Sequence, residues 1–211
     1  MDLDAMRRAV VDGDRDLLAR AIADALADGT EPAALLGQAL IPGMDEVGNL
    51  FASNEYFLPE VLLSARAVQG ALDVLRPRLA ERGVEPAGTV VLGTVQGDLH
   101  DIGKNLIGMM FEGAGFRVVD LGSNVAPERF LAAAREHGAA FVALSALLTT
   151  TMPRMREVVE LLKQRGLAGR VRTIVGGAPV SDGFAREIGA DDYACDAARA
   201  VERVKALLGA A

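Results

Sequence analysis

The spacing of apolar residues changes near residues 83–88, and this change constrains the fold more than any other feature of the sequence. Before it, apolar residues recur in three- and four-residue steps, which is the spacing of one helix face. The clearest example is the run Leu17, Leu18, Ala21, Ile22, Ala25 and Leu26. After it, short apolar runs alternate with helix-length segments, as in βα units. We therefore expect a helical domain over residues 1–85 and an α/β domain over residues 88–211.

The first domain is predicted to contain four helices joined by short loops. Glu31-Pro32 opens the third helix, which should run to about Phe51, and Leu58-Pro59-Glu60 opens the last, which should reach Gly83. Proline is tolerated in the first turn of a helix, and an early glutamate suits its positive end. Helices joined by short loops pack most simply as an antiparallel bundle. We expect a four-helix bundle.

The second domain is predicted to be a five-stranded parallel sheet of the flavodoxin-like or Rossmann-like type. Its expected strands are Thr89–Val95, Arg117–Leu121, Phe141–Ser145, Val171–Val175 and Asp192–Cys195. Its expected helices are Gly103–Glu112, Pro127–His137, Pro153–Arg165, Ser181–Ile188 and Ala197–Leu208. Strands that are apolar on both faces indicate a sheet covered by helices on each side. A ligand should then lie beyond the carboxyl ends of the strands.

Composition argues against several classes of partner. Asp and Glu number 29 against 22 Lys and Arg, so the net charge is −7, and the basic residues are scattered. Nucleic acid and anionic membranes are therefore poor partners. The longest nearly apolar stretch, Ala139–Leu148, is about half a membrane span, and the first residues do not resemble a signal peptide. With a single cysteine, Cys195, no internal disulfide can form, and we expect a cytoplasmic protein.

The loop after the first predicted strand carries Asp98 and His100, the two residues with the clearest chemistry. A histidine just before a helix N-terminus lies in a positive field that favours the neutral ring, which can give a lone pair to a metal. A nearby carboxylate can accept the other ring N–H and fix the tautomer. The alternative to a metal site is that His100 is an ordinary loop histidine and that Asp98 only forms a turn. Because His137 is predicted on a later helix, a metal at His100 would take its other donors from a macrocycle.

Three motifs at defined spacings resemble the signature of base-off, histidine-on cobalamin-binding domains. They are Asp98-x-His100-x-x-Gly103, then Ser145-x-Leu147 after 41 residues, then Gly176-Gly177 after 28 residues. Such domains occur in methionine synthase, corrinoid methyl-carrier proteins and adenosylcobalamin mutases. The run Gly97–Asn105 resembles the methyltransfer branch, and Met44–Phe51 and Tyr56–Glu60 resemble the helical cap domain of that branch. The resemblance therefore covers almost the whole chain.

The resemblance implies a role for each matching residue. His100 would be the lower axial ligand of cobalt, in place of the dimethylbenzimidazole base of the cofactor, and Asp98 and Ser145 would extend its hydrogen-bond chain. The other residues implied to bind the cofactor in this domain are Asp101, Gly103, Leu147, Thr149, Gly176 and Gly177. The glycines would leave room for the displaced nucleotide tail, and the two hydroxyl side chains, of Ser145 and Thr149, would hydrogen-bond to it. Taken singly, each glycine or hydroxyl also suits an ordinary turn or helix cap.

In the helical cap, the resemblance implies that Phe51, Leu58 and Val61 lie over the upper face of the corrin. An apolar lid would shield a reactive cobalt from water and oxygen. The alternative is that these three side chains belong to the bundle core, because their spacing is helical. The segment 83–88 could serve as a hinge for such a lid or could simply join two domains.

The function implied by the resemblance is that of a corrinoid protein. It would carry a methyl group on the cobalt of cobalamin or of a related corrinoid. The cofactor would accept the methyl group as cob(I)alamin and carry it as methylcobalamin. Since the two domains account for all 211 residues, we expect the methyl-donor and methyl-acceptor centres on separate methyltransferases, with a reductive activase as a further partner.

Two other classes of function remain open from the sequence. An adenosylcobalamin-binding sensor would use similar cap and cobalt domains, but it would also carry an output module, and the acidic chain has no visible recognition helix. A cofactor-free interaction domain, such as a phosphoacceptor receiver, would need a lysine after its last strand. Asp192 and Asp196 flank that strand instead.

Overall fold

The computed structural model describes residues 2–209 of the chain, which divides into two compact units. One unit comprises Met1–Ala87 with Glu112–Gly115, and the other comprises Gly88–Phe111 with Phe116–Ala211. Over the described residues, no helix combines the length and the apolar character needed to cross a bilayer.

The described part of the first unit is helical. Its elements are α1 (Leu3–Val11), α2 (Arg15–Ala27), α3 (Pro32–Leu35), a π-helical turn (Leu36–Leu40), α4 (Ile41–Ala52) and α5 (Leu58–Glu81). Two aspartates begin the first two helices by accepting a backbone N–H three residues later: Asp2 from Ala5 and Asp14 from Leu17, each at 2.9 Å. Such N-caps satisfy N–H groups that have no partner within the helix.

The third predicted helix is observed as one continuous helical stretch from Pro32 to Ala52 that contains the π-helical turn. Pro42 gives a physical reason for the turn directly before it. Proline has no N–H to donate to the carbonyl of Gln38, and its ring crowds that carbonyl. A wider turn relieves this crowding, because π-helical turns insert one extra residue into the helix.

The apolar stripe predicted on the second helix is narrower than expected. Leu18, Ile22 and Ala25 are buried, but Leu17 is 43% exposed. Successive helical residues are turned by about 100° around the axis, so Leu17 points away from the face that contains Leu18. Leu17 therefore lies outside the buried part of the predicted stripe.

The second unit contains an all-parallel five-stranded sheet, which confirms the predicted fold class. Its strands are β1 (Thr89–Thr94), β2 (Arg117–Asp120), β3 (Phe141–Ser145), β4 (Arg172–Gly176) and β5 (Asp192–Ala194), in the order β2-β1-β3-β4-β5. Its helices are α6 (Ile102–Gly113), α7 (Pro127–Glu136), α8 (Pro153–Gln164), α9 (Asp182–Ile188) and α10 (Ala197–Gly209). This is the flavodoxin-like order.

The centre of the sheet is closely packed. Every residue of β1 after Thr89 is buried, as are the first four residues of β3. Gly93 lets α7 approach β1, because a Cβ at this position would lie 2.8 Å from the ring of Phe130. The strand order reverses between β1 and β3, so the connections from these strands leave in opposite directions. A crevice at this switch point is where doubly wound sheets bind ligands.

Candidate functional site

The loops that follow β1 and β3 meet at the switch point. Asp98 and His100 lie on the first loop, between β1 and α6. The backbone N–H of Leu147, on the second loop, donates to Oδ2 of Asp98 at 2.8 Å. The predicted pair therefore lies at the carboxyl edge of the sheet, beside the neighbouring strand connection.

Asp98 and His100 form the predicted carboxylate–imidazole pair. Oδ1 of Asp98 lies 2.7 Å from Nδ1 of His100 and 3.1 Å from the backbone N–H of the same histidine. An ionised carboxylate can only accept, so the proton of this bond lies on Nδ1. The neutral ring then has its lone pair on Nε2.

Asp98 is fully buried and accepts five hydrogen bonds. Besides the two from His100 and that from Leu147, its carboxylate accepts from the backbone N–H of Leu148 at 3.3 Å and from Oγ1 of Thr151 at 2.8 Å. Burial alone would raise the pKa of Asp98. The hydrogen bonds from Leu147, His100 and Thr151 outweigh this effect and hold the pKa well below its usual range. The carboxylate is therefore ionised at neutral pH.

The imidazole of His100 differs from its partner in being open to solvent. The side chain of His100 is 52% exposed, whereas that of Asp98 is 0% exposed. The backbone carbonyl of His100 accepts a hydrogen bond from Oγ1 of the buried Thr94 at 2.9 Å, which anchors the histidine to the end of β1. The result is a ring that is fixed from behind while Nε2 remains accessible.

Large apolar side chains are exposed on the two segments that meet at the Asp98–His100 pair, together with the charged Asp101. They are Leu99 (73%), Ile102 at the start of α6 (71%), and Leu147 (43%) and Leu148 (41%) after β3. Exposed apolar side chains grouped in this way indicate a surface that a ligand or partner covers. A half-exposed imidazole with a fixed tautomer, on a segment that also exposes large apolar side chains, fits a corrin ring that takes one ligand from the protein. Within residues 2–209, no group of three or more His, Cys, Asp or Glu side chains is placed to hold a metal ion.

The structure joins a different hydroxyl to Asp98 from the one expected. Ser145 ends β3 and is half-buried, and in the described residues no hydrogen bond links its hydroxyl to Asp98. Thr151 makes that bond and is itself buried. Sequence reasoning missed Thr151 because it is the last of three consecutive threonines, and nothing in the local pattern distinguishes it from Thr149 and Thr150.

The remaining predicted residues of the first two motifs lie on the same edge of the sheet. Asp101 and Gly103 flank the start of α6 and are exposed, and Thr149 is exposed on the connection after β3. A Cβ added to Gly103 would meet nothing within 4 Å, so this glycine borders open space. These positions leave room for a ligand beside the first turn of α6.

Gly176 and Gly177 have a clear structural reason to be glycine. A Cβ on Gly176 would lie 2.8 Å from the carbonyl oxygen of Ala194. A Cβ on Gly177, where φ is +126°, would lie 1.9 Å from the carbonyl oxygen of Ala146. Both glycines therefore allow neighbouring strand connections to approach closely. A contact with the nucleotide tail is a separate prediction.

Lys104 is a second buried ionisable residue near the site that sequence reasoning did not identify. It lies in the first turn of α6, and its Nζ donates to Oδ1 of Asn105 at 2.7 Å and pairs with the carboxylate of Asp120. Asp120 is the last residue of β2. The pair connects α6 to the adjacent edge of the sheet, and it meets the requirement that a buried charge be paired.

The three residues predicted for the upper face of the corrin differ in exposure. Val61 is fully buried, Phe51 is half-buried and Leu58 is 39% exposed. Phe57, directly before Leu58, is more exposed, at 62%. In the helical unit, therefore, Leu58 presents apolar surface and Val61 does not.

Comparison with protein families identifies both units. A family model described as a B12 binding domain matches residues 88–204, and a second model with the same description matches residues 2–76. Together the two matches cover most of the chain, in the order expected from the sequence motifs.

Individual relatives match over nearly the full length. A corrinoid protein of Desulfitobacterium hafniense is 42% identical over 98% of this chain and 97% of its own. Trimethylamine corrinoid protein 1 of Methanosarcina mazei is 42% identical over 95% of this chain and 94% of its own. A chain of the methanol:cobalamin methyltransferase complex of Methanosarcina barkeri is 30% identical, with a TM-score of 0.87 over 99% of this chain and 80% of that chain. The protein thus belongs to the family of B12-binding corrinoid proteins, and its cofactor is a cobalt-containing corrinoid.

Proposed function

We propose that the protein carries a methyl group between a donor and an acceptor methyltransferase, on a cobalamin bound with its own base displaced and with Nε2 of His100 as the lower axial ligand. The observation that carries this proposal is the His100 ring. Its Nδ1 is held 2.7 Å from a buried carboxylate while its other nitrogen is accessible at the edge of the sheet. The membership of the family supports the cofactor class.

The bound corrinoid supplies a cobalt that can accept and release a methyl group, and the chain supplies the setting. Asp98 holds the proton on Nδ1 of His100, so the lone pair on Nε2 is directed outward. Because hydrogen bonds hold the pKa of Asp98 low, the carboxylate keeps this role at neutral pH. Thr94, at the end of β1, fixes the backbone of His100, and Thr151, on the connection between β3 and α8, fixes the carboxylate.

The displaced nucleotide tail is proposed to pass beside Gly103 and to hydrogen-bond to Ser145 and Thr149. Gly103 borders open space, and the hydroxyl of Ser145 makes no hydrogen bond within residues 2–209. A hydroxyl without a protein partner at the edge of the sheet is available to a ligand.

Spectroscopy of reconstituted protein tests the axial ligand. Wild type, His100→Ala and His137→Ala are loaded with cobalamin, and the reduced Co(II) form is examined by electron paramagnetic resonance. Because the ¹⁴N of the cofactor's own benzimidazole also splits each cobalt line, into three, the histidines of each protein are labelled with ¹⁵N, which splits each line into two. We expect this splitting in wild type and in the His137→Ala control, because His137 ends α7 away from the predicted site. We expect its loss in His100→Ala, and an unchanged spectrum in that variant overturns the assignment.

The partner class is tested by methyl transfer. The names of the matched relatives favour methylated amines and methanol as donors for those proteins, and we propose methylated amines as the first class to test here. Corrinoid-loaded protein is first reduced to the Co(I) state with titanium(III) citrate and is then mixed with a methylamine methyltransferase and the amine. The methyl group moves from the amine nitrogen to Co(I), the demethylated amine is released, and the visible spectrum follows the formation of methyl-Co(III). A carrier acquires the methyl group only when both the methyltransferase and the amine are present. Failure with every donor enzyme tried, in protein with the expected axial ligand, contradicts the carrier role.

A further inference from the structure

Asn124 lies on the connection after β2 and binds the loop that contains Asp98 and His100. It binds this loop from the β2 side, whereas Thr151 binds it from the β3 side. Oδ1 of Asn124 accepts a hydrogen bond from the backbone N–H of Gly97 at 2.8 Å. Its own backbone N–H donates to the carbonyl oxygen of Asp98 at 2.9 Å. The two bonds hold the Gly97-Asp98 dipeptide at both ends.

The backbone of Asn124 is shaped for this contact. Its φ is +56°, in the left-handed region, and apart from it only Asn54 among the non-glycine residues from 2 to 209 has a positive φ. Asparagine tolerates this conformation better than most residues, although less well than glycine. Gly97 also has a left-handed φ, of +85°. Two unusual backbone conformations therefore face each other across the pair of hydrogen bonds.

The position of Asp98 depends on two sets of contacts. Leu147 and Thr151 hold its carboxylate from the β3 side, whereas Asn124 holds its backbone from the β2 side. If the dipeptide turned, the carboxylate would have to leave either Nδ1 of His100 or the donors from β3. A hydrogen bond of 2.7 Å to an imidazole depends on direction, so a small turn would change the direction of the ring.

We propose that Asn124 is a positioning residue for the cobalt ligand, acting through Asp98 to orient His100. The inference rests on the proposed function, in which His100 binds cobalt. Asn124 itself touches neither the imidazole nor the metal. Its role is to keep the Asp98 carboxylate in line with Nδ1 before the corrinoid arrives.

Three variants separate the side chain from the backbone. Asn124→Gly removes the Oδ1 acceptor but keeps both the left-handed φ and the backbone N–H. Asn124→Asp retains an oxygen at the same position and should restore the wild-type behaviour. Asn54→Gly is the matched control, because Asn54 has a φ of +61° but lies in the helical unit, far along the chain from the Asp98 loop. Circular dichroism establishes that each variant is folded.

Two readouts are measured on each protein. In the loaded Co(II) form, the nitrogen splitting from ¹⁵N-labelled histidine, which is two-line, reports the fraction of molecules with histidine on cobalt. In the cofactor-free protein, ¹⁵N resonances of the His100 ring report whether the proton lies on Nδ1, and amide exchange reports protection of the Gly97 N–H. For Asn124→Gly we expect faster amide exchange at Gly97 and a mixture of tautomers in the His100 ring. We also expect cobalamin binding to be about tenfold weaker, which is the lower end of the effects seen when a hydrogen-bond partner of a metal-bound histidine is replaced. We expect wild-type values for Asn124→Asp and Asn54→Gly.

The outcomes distinguish this inference from the function on which it rests. If wild type shows nitrogen splitting and Asn124→Gly shows the same splitting, tautomer and affinity, the positioning role is wrong and the axial ligand stands. The same conclusion follows if Asn54→Gly is affected as strongly as Asn124→Gly. If wild type itself shows no nitrogen splitting, both the ligand assignment and the role of Asn124 are overturned.

Discussion

Replacement of Thr151 by valine should measure how much the hydrogen bonds to Asp98 contribute to the stability of the sheet unit. Valine has nearly the shape of threonine, and Thr151 is buried, so the change removes a hydroxyl with little change in packing. Oγ1 lies 2.8 Å both from Oδ2 of Asp98 and from the carbonyl oxygen of Leu148. Its single proton favours the charged acceptor, so the lost bond is the one to Asp98. A hydrogen bond to a charged group contributes ~1.5–3 kcal/mol. Since four of the five donors to Asp98 remain, we expect the free energy of unfolding to fall by about 2 kcal/mol, toward the lower part of that range.

The assay is native-state amide hydrogen exchange, because amides in β1 and β3 report the opening of the sheet unit separately from the helical unit. Thr150→Val is the matched control. Thr150 precedes Thr151 but is exposed, so its replacement should change the free energy by less than ~0.5 kcal/mol. Equal effects of the two substitutions would refute the reasoning that the buried carboxylate depends on the Thr151 hydroxyl.

Three further predictions concern pH and two of the glycines. Burial opposes ionisation of Asp98, but its hydrogen bonds lower the pKa below the ordinary value of 3.8. The ionised carboxylate therefore stabilises the folded state above that pH, and this stabilisation is lost as the pH falls below it. Urea titrations from about pH 6 to about pH 3 should show a steeper loss in wild type than in Asp98→Asn, and parallel profiles would contradict the pKa assignment. Gly177→Ala should yield little folded protein by circular dichroism, because its Cβ would lie 1.9 Å from a carbonyl oxygen. Gly103→Ala should fold with an unchanged thermal midpoint but bind cobalamin more weakly, and undiminished binding would argue against a nucleotide tail at Gly103.

The fold class could be predicted because its signals are local. The change from helical spacing to short apolar runs lies within neighbouring residues, and the predicted strand Phe141–Ser145 matches β3. The pair of Asp98 and His100 could also be predicted from local sequence. In a tight loop, a carboxylate can reach the ring nitrogen of a histidine two residues later. At Leu17, the spacing of apolar residues marks a wider apolar face than the helix buries.

The sequence by itself determined the classes of secondary structure, the motif spacing and the identity of the metal-ligand candidate. Only the tertiary structure decided which side chains support that ligand. Thr151 is 53 residues from Asp98, and Asn124 is 27 residues from Gly97. They meet the loop because β2 and β3 are the two neighbours of β1 in the sheet. Strand order depends on long-range packing, and hydrogen bonds act over about 3 Å, so no local pattern reveals which threonine or asparagine completes the site.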